Sequence, residues 1–160
     1  MSPRLDYFKL SPQGLAAMRQ LEGYLSSCGL EASLRELVKT RASQLNGCAY
    51  CLDMHTKDAR AAGETEQRLY TLSAWRETPF FSDRERAALA WTDAVTRVSE
   101  GGTDDALYEE LQRHFSEKEI VDLTLAIVAI NGWNRLAIPF RSPAGSYQPR
   151  SHAPAGSTRA

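Results

Sequence analysis

Two cysteines, a histidine and a glutamate lie within a twenty-residue segment of the chain, at spacings that suit thiol chemistry. Cys48 and Cys51 are separated by two residues, and His55 follows the second cysteine by four positions. Glu36 precedes the first cysteine by twelve positions. If Gly47 ends one helix and Cys48 opens the next, both sulfurs and the imidazole share one helical face. Side chains at this spacing lie close enough for a disulfide to form after a modest adjustment, so the helix can hold the dithiol or the bridged form.

The surroundings of these thiols favour the reactive thiolate. A helix N-terminus carries unpaired N–H groups and a partial positive charge, which lower the pKa of a nearby thiol from about 8.5 to roughly 3.5–7.5. His55, one turn after Cys51, is placed to accept the Cys51 proton directly or through a water molecule. Glu36, on the preceding helix, is placed to orient that imidazole. These residues supply the nucleophile, the base and the orienting group expected of an activated cysteine.

Two other uses of the same residues stay open. Two thiols, an imidazole and a carboxylate are acceptable zinc ligands, and four ligands complete a tetrahedron. Structural zinc usually takes its ligands in pairs from two separate segments, however, whereas three of these four lie on one predicted helix. The cysteine pair could also be purely structural. Redox chemistry is the favoured interpretation, because the context of the motif fits it best.

The sequence predicts no cofactor. Attachment of a c-type haem requires a histidine directly after the second cysteine, and Leu52 stands there instead. Neither the P-loop nor the GxGxxG nucleotide-binding pattern is present. We therefore expect no metal, flavin or nucleotide in the site.

The motif of Glu36, the CxxC pair and His55 resembles the core motif of the AhpD-like alkylhydroperoxidase group, within the carboxymuconolactone decarboxylase superfamily. The resemblance covers most of the chain, residues 34–141, and a second segment, residues 119–135, resembles the closing helix of that group. The resemblance implies an all-helical thiol peroxidase or disulfide reductase. It also implies a homo-oligomer, either a trimer or a hexamer.

The same resemblance implies a role for each residue of the motif. In that family the second cysteine attacks the peroxide, the first resolves the sulfenic acid to a disulfide, and the glutamate and histidine form a proton relay. This assigns attack to Cys51, resolution to Cys48, and the relay to His55 and Glu36. The helix dipole alone would nominate Cys48 as the nucleophile. We prefer Cys51, because a local base decides more directly which thiol loses its proton.

One position departs from the family pattern. Tyr50 stands directly before the second cysteine, where the best-known AhpD proteins have a second histidine. A tyrosine with a pKa near 10 cannot relay protons in the same way at neutral pH. The departure bears on the efficiency of peroxidase turnover more than on the dithiol chemistry.

The predicted function is a thiol-dependent peroxidase or disulfide oxidoreductase that reduces hydroperoxides in antioxidant defence. Its cycle runs from thiolate through sulfenic acid to a disulfide, which an external dithiol or protein reductant must reduce. Two alternatives stay open. One is a lyase like carboxymuconolactone decarboxylase, and the other is a non-enzymatic redox sensor.

The composition is that of an ordinary globular protein. The chain has 160 residues, 42% hydrophobic and 24% charged, so one domain with a real core is expected. A net charge of −1 gives no electrostatic case for nucleic acid or an anionic membrane as a partner. Three cysteines do not make a secreted disulfide framework, no apolar export signal opens the chain, and the longest apolar run, Val121–Ile130, is too short to span a membrane. We therefore expect a cytoplasmic protein.

Capping and breaker residues predict an all-α fold of about six to seven helices, since no stretch alternates convincingly over strand length. Ser-Pro, Asn-Gly and Ser-x-x-Glu patterns mark several boundaries, and Thr103 is expected to cap the sixth helix. The predicted helices lie near residues 12–27, 31–45, 48–62, 66–75, 83–98, 104–115 and 117–137. The last is apolar around most of its circumference, so it should be buried within the fold or against another subunit.

The chain divides into a single helical domain, residues 1–141, and a C-terminal tail rich in proline, serine and glycine, residues 142–160. The tail is expected to be loose or to lie over a neighbouring subunit. The apolar helix and four large aromatic residues indicate more apolar surface than a monomer would hide, which also favours a homo-oligomer. These aromatic residues are Trp75, Phe80, Phe81 and Trp91.

Other residues of suitable types receive no role. Cys28 has no second thiol or histidine nearby in sequence and is interpreted as a packed residue. His114 is interpreted as a favourable cation at a helix end, and His152 as a solvated residue of the tail. The polar cluster from Asn131 to Arg135 is interpreted as capping and interface hydrogen bonds, and a role for Arg135 or Trp133 in lining the pocket is left open.

Overall fold

The computed structural model describes residues 2–149, whose regular elements are all helices. This confirms the all-α prediction. The α-helices are α1 (Tyr7–Leu10), α2 (Pro12–Ser27), α3 (Ala32–Asn46), α4 (Ala49–Ala61), α5 (Glu66–Thr71), α6 (Asp83–Thr96), α7 (Asp105–Gln112) and α8 (Glu117–Phe140), with 3-10 helices at Leu72–Glu77 and Val98–Glu100. The described residues therefore contain eight α-helices, slightly more than the six to seven expected. The unpredicted one is α1, a single turn capped by the Asp6 carboxylate and too short to show a hydrophobic period.

Most helix boundaries follow from the capping residues that the sequence displays. Ser82 and Ser116 both form complete capping boxes, in which a serine side chain and the glutamate three residues later satisfy each other's backbone N–H groups. Thr65 caps α5 as predicted. Gly47 adopts the left-handed conformation, φ 69°, and ends α3.

Two predicted helix starts are wrong by one residue. Cys48 does not open α4 but stands before it as the N-cap, in an extended conformation, and the helix begins at Ala49. Asp104, not Thr103, caps α7, because its carboxylate accepts a hydrogen bond from the Leu107 N–H at 2.9 Å. Aspartate and threonine are both good caps, so only the local backbone path decides between adjacent candidates.

α3 is the centre of the bundle. It packs against α4, α6 and α8, and α8 in turn contacts α2, α4 and α6. α3 can fill this position because its residues from Leu37 to Ser43 are all buried. Both sides of the functional motif, on α3 and α4, are therefore held by the core.

α8 is a core helix with one exposed apolar edge. Leu123, Ile127 and Ile130 are fully buried, whereas Val121 and Val128 are 57% and 52% exposed. By length and composition α8 is the one helix in residues 2–149 that could cross a membrane, but core helices of globular proteins pass the same test. The prediction that it is buried is met on one side only.

The aromatic residues that suggested an oligomer are mostly covered within the chain. Trp75 and Phe81 are buried at 4% exposure, Trp91 is half-buried, and Phe80 is 40% exposed. The homo-oligomer therefore stays a prediction that depends on the exposed edge of α8.

The first part of the predicted tail lies along α4 of its own chain. The Gly145 N–H donates to Asp53 at 2.9 Å, and the Lys57 ammonium donates to the Tyr147 carbonyl at 2.9 Å. The Tyr147 hydroxyl donates to Asp58 at 2.7 Å. Residues 142–149 therefore include contacts with α4 of the same chain. The rest of the tail, with His152, lies outside the described residues.

Candidate active site

The Gly47 turn brings α3 and α4 together and places Glu36 against His55. The Cys48 N–H donates to the Ser43 carbonyl at 3.0 Å, which fixes the direction in which α4 leaves the turn. Across the resulting helix pair, His55 Nδ1 lies 2.8 Å from Glu36 Oε2. The structure therefore brings together the two residues of the expected relay.

The hydrogen bond between Glu36 and His55 leaves one imidazole nitrogen available as a base. Burial raises the pKa of Glu36, but the hydrogen bond to His55 and nearby positive charges outweigh it and leave this pKa lowered. An ionised carboxylate only accepts hydrogen bonds, so His55 Nδ1 carries the proton and Nε2 is left to act. His55 is 6% exposed, so its ring is shielded from bulk water, whereas Glu36 is half-buried.

Cys48 and Cys51 are free thiols in direct contact with each other. Each is 1% exposed, and the Cys51 N–H donates to Cys48 Sγ at 3.4 Å. A hydrogen bond from the Cys51 thiol lowers the pKa of Cys48 to about 7 against the effect of burial, with further help from the Cys51 N–H and Asn134. The donated hydrogen bond and burial raise the pKa of Cys51. Cys48 is therefore the first of the two thiols to ionise, with a pKa of about 7.

This order of ionisation differs from the expectation that His55 would favour a resting thiolate at Cys51. The reason is that Cys48, as the N-cap, receives both the N–H and the thiol of Cys51, whereas Cys51 receives neither in return. The difference concerns the resting state and leaves open which sulfur meets a substrate.

The two thiols face different openings. A cavity of about 500 Å³ is bordered by Cys51, His55 and Glu36 but not by Cys48. A second groove, of about 490 Å³, is bordered by Cys48 but not by Cys51. The other residues that line the cavity are Tyr7, Phe8, Arg19, Glu22, Lys39, Tyr50, Met54, Asp58, Trp133 and Ala137. A ligand in the cavity therefore meets both Cys51 and His55.

Asn134 is a site residue that the sequence interpretation missed. It is fully buried, its oxygen accepts from Asn46 at 2.8 Å, and its nitrogen donates to Ser43 at 3.2 Å. It also helps to lower the pKa of Cys48. One feature of the sequence could have identified Asn134: a buried amide within an apolar helix needs hydrogen-bond partners.

The polar cluster at the end of α8 is divided between structure and site. Trp133 lines the cavity, which answers the question that the sequence left open. Arg135 instead donates to the carbonyl and side chain of Asn131 at 3.0 and 2.9 Å, on the same helix.

A group of metal-type donors in residues 2–149 does not include either cysteine. Donor atoms of Glu36, His55 and Asp58 lie within 4.8 Å of one another. Glu36 is already bonded to His55, and Asp58 accepts the Tyr147 hydroxyl. This arrangement does not resemble the four-ligand zinc site considered from the sequence.

The pKa of Cys48 predicts how the ultraviolet absorbance of the thiolate should change with pH. The Cys48 thiol is protonated below about pH 7 and ionised above it, so the absorbance should rise through a midpoint of about 7. In Cys51→Ala the donated hydrogen bonds to sulfur are reduced, and the midpoint should move up toward the free value of roughly 8.5. Cys28→Ser removes the third thiol from the titration and serves as the background for both proteins. An unchanged midpoint in Cys51→Ala would contradict the claim that the Cys51 thiol lowers the pKa of Cys48.

Comparison with known proteins places this arrangement in a family. The sequence profile of the Carboxymuconolactone decarboxylase family matches residues 12–94. The uncharacterized protein YdfG of Bacillus subtilis (strain 168) is 44% identical over 146 residues, which is 91% of this chain and 99% of that protein.

Solved structures of other proteins have the same fold as this chain. A protein of unknown function from Agrobacterium tumefaciens, suggested to be the antioxidant defence protein AhpD, has a TM-score of 0.88 at 47% identity, covering 91% of this chain and 100% of the other. The debrominase Bmp8 in its apo form has a TM-score of 0.78 at 21% identity, covering 87% and 75%, and shares the fold. The chain therefore belongs to the carboxymuconolactone decarboxylase family and is AhpD-like.

Proposed function

We propose that this protein is a thiol peroxidase that reduces hydroperoxides through the Cys48–Cys51 pair. The observation that carries the proposal is one cavity bordered by Cys51 and by the hydrogen-bonded pair of Glu36 and His55, while the Cys51 N–H donates to the Cys48 sulfur. The Agrobacterium relative, suggested to be an antioxidant defence protein, supports the same assignment.

The first step is attack by Cys51 on the hydroperoxide. His55 Nε2 takes the Cys51 proton, and the Glu36 carboxylate stabilises the resulting imidazolium. The Cys51 thiolate attacks the terminal peroxide oxygen, so that an S–O bond forms and the O–O bond breaks. The departing alkoxide takes the proton from His55 and leaves as the alcohol, with Cys51 left as the sulfenic acid.

In the second step Cys48 attacks the sulfenic acid of Cys51, and its lowered pKa favours this attack. With a pKa of about 7 in the reduced pair, Cys48 is about half ionised near neutral pH, and the Cys51 N–H and Asn134 still stabilise its thiolate after Cys51 has been oxidised. It attacks the Cys51 sulfur, the S–S bond forms as the S–O bond breaks, and hydroxide leaves and takes a proton from solvent to become water. A resolving thiol that is already ionised limits the lifetime of the sulfenic acid and its further oxidation.

An external dithiol then closes the cycle. Its thiolate attacks one sulfur of the bridge to form a mixed disulfide, and its second thiol displaces the protein. The dithiol becomes a disulfide, the protein regains both thiols, and two electrons have passed from the reductant to the peroxide. The external reductant is either a small dithiol or a protein dithiol.

Counting thiols before and after one equivalent of hydroperoxide tests the proposal. Two thiols per chain should disappear, and mass spectrometry should locate the bridge between Cys48 and Cys51. Cys28 should stay reduced, because it is half-buried and its sulfur is directed to the Leu25 carbonyl. Loss of no thiols, or a bridge that includes Cys28, would refute the proposed peroxidase.

A further inference from the structure

One wall of the active-site cavity contains a closed ion pair. Glu22 accepts a hydrogen bond from the Lys39 ammonium at 2.6 Å and another from the Trp133 indole at 3.1 Å. Lys39 is only 8% exposed. Both carboxylate oxygens of Glu22 accept hydrogen bonds. Because the charges of Glu22 and Lys39 cancel, this pair contributes no net charge to the recognition of a ligand.

The other two carboxylates of the cavity are engaged as well. Glu36 is bonded to His55 at 2.8 Å, and Asp58 accepts the Tyr147 hydroxyl at 2.7 and 3.0 Å. Within residues 2–149, each acidic side chain of the cavity therefore has a partner that is itself part of the protein.

Besides Lys39, the positively charged residue Arg19 also lines the cavity. It is exposed, its guanidinium carbon lies 5.5 Å from the centre of the Phe8 ring, and no carboxylate in the described part of the chain bonds to it. A contact with a ring face uses none of the guanidinium N–H groups as hydrogen-bond donors, so these groups stay free to bind the two oxygens of a carboxylate. Arg19 is therefore available to an anionic group at the mouth of the cavity.

The body of the cavity is apolar and aromatic. The Tyr7 and Phe8 rings lie 4.6 Å apart between centroids, and Phe8 is stacked with Trp133 at 6.3 Å. Tyr50 and Met54 complete this surface. A space of about 500 Å³ with such walls accommodates a small molecule with an apolar, ring-containing body.

We propose that the hydroperoxide substrate has an apolar body with a carboxylate at the end opposite the peroxide, and that Arg19 binds this carboxylate. The inference rests on the proposed peroxidase function, since it places the peroxide at Cys51 and the carboxylate at the cavity mouth. Arg19 is then the residue that determines specificity for charged over neutral peroxides.

Two probes with the same body separate the carboxylate from the rest of the substrate. They are cumene hydroperoxide and its derivative with a ring carboxylate para to the peroxide-bearing carbon. In the wild-type protein the carboxylated probe should oxidise the cysteine pair about 10-fold faster, as measured by stopped-flow thiol loss. Arg19→Met should remove this advantage while changing the rate with the neutral probe by less than about 2-fold. Arg19→Lys should retain part of it, because the charge stays but the bidentate geometry is lost.

Arg97→Met is the matched control, because Arg97 is exposed and does not line the cavity, and both rates should stay at the wild-type level. Equal wild-type rates for the two probes, or an equal loss of both rates in Arg19→Met, would overturn the role of Arg19. If neither probe oxidises the wild-type protein, the peroxidase proposal fails on its own. The Arg19 site is then decided by calorimetry with the carboxylated alcohol, for which Arg19→Met should raise Kd about 10-fold and an unchanged Kd would overturn it.

Discussion

Replacing Cys51 with serine should abolish hydroperoxide consumption, with a loss of roughly 10³-fold or more in the steady-state rate. Cys51 borders the cavity next to the Glu36–His55 pair, whereas Cys48 borders the other groove, so no second thiol can take its place. Cys48→Ser should behave differently. It should consume one equivalent of peroxide, stop at a Cys51 sulfenic acid and form no bridge, which a sulfenic-acid-specific label and intact-protein mass spectrometry would detect.

Cys28→Ser is the matched control for both variants and should turn over at the wild-type rate. The reverse result, a sulfenic acid on Cys48 in Cys51→Ser and none on Cys51 in Cys48→Ser, would mean that the resting thiolate is also the attacking one. Full activity of Cys51→Ser on a lactone substrate would instead favour the decarboxylase-type lyase.

Replacing His55 with asparagine should slow Cys51 oxidation by about 10²- to 10³-fold while leaving the fold intact. The Cys51 pKa is raised in the resting pair, so attack by this thiol depends on a base, and His55 is the base within the same cavity. Glu36→Gln should cause a smaller loss, because the amide can still orient the ring but cannot stabilise the imidazolium by charge. Pre-steady-state oxidation rates, measured across pH, would resolve both effects.

His114→Asn is the control for His55, since His114 pairs with Glu110 on the periphery of the bundle. Its oxidation rate should equal that of the wild type. If both His55→Asn and His114→Asn react at the wild-type rate, Cys51 must pass its proton to Cys48 instead. Glu36 and His55 would then serve only to position other groups of the site.

Local sequence signals were sufficient to predict most of the helices and the close approach of the motif residues on α3 and α4. Capping boxes at Ser82 and Ser116, and the glycine at position 47, act through neighbouring backbone groups, which a sequence displays directly. The contact between Glu36 and His55 could be expected for the same reason, because a single tight turn joins their two helices.

Features that depend on distant packing could not be read in this way. The aromatic wall around Phe8 comes from a one-turn helix that meets Trp133, more than a hundred residues later in the chain. The effect of Asn134 on Cys48 similarly depends on how α8 lies against the Gly47 turn. The negative charge on Cys48 followed from a shift of one residue at the start of α4, which is within the ordinary uncertainty of helix boundaries.

The N-cap position of Cys48 has a consequence for the reduction potential of the cysteine pair. In the reduced protein the Cys48 sulfur accepts the Cys51 N–H and carries negative charge at the start of α4. A bridged sulfur carries no charge and is a poorer acceptor, so oxidation removes this stabilisation of the helix terminus. If the cap is worth about 1 kcal/mol, the potential rises by roughly 20 mV for the two-electron couple. At equilibrium the cap therefore favours the dithiol over the bridge.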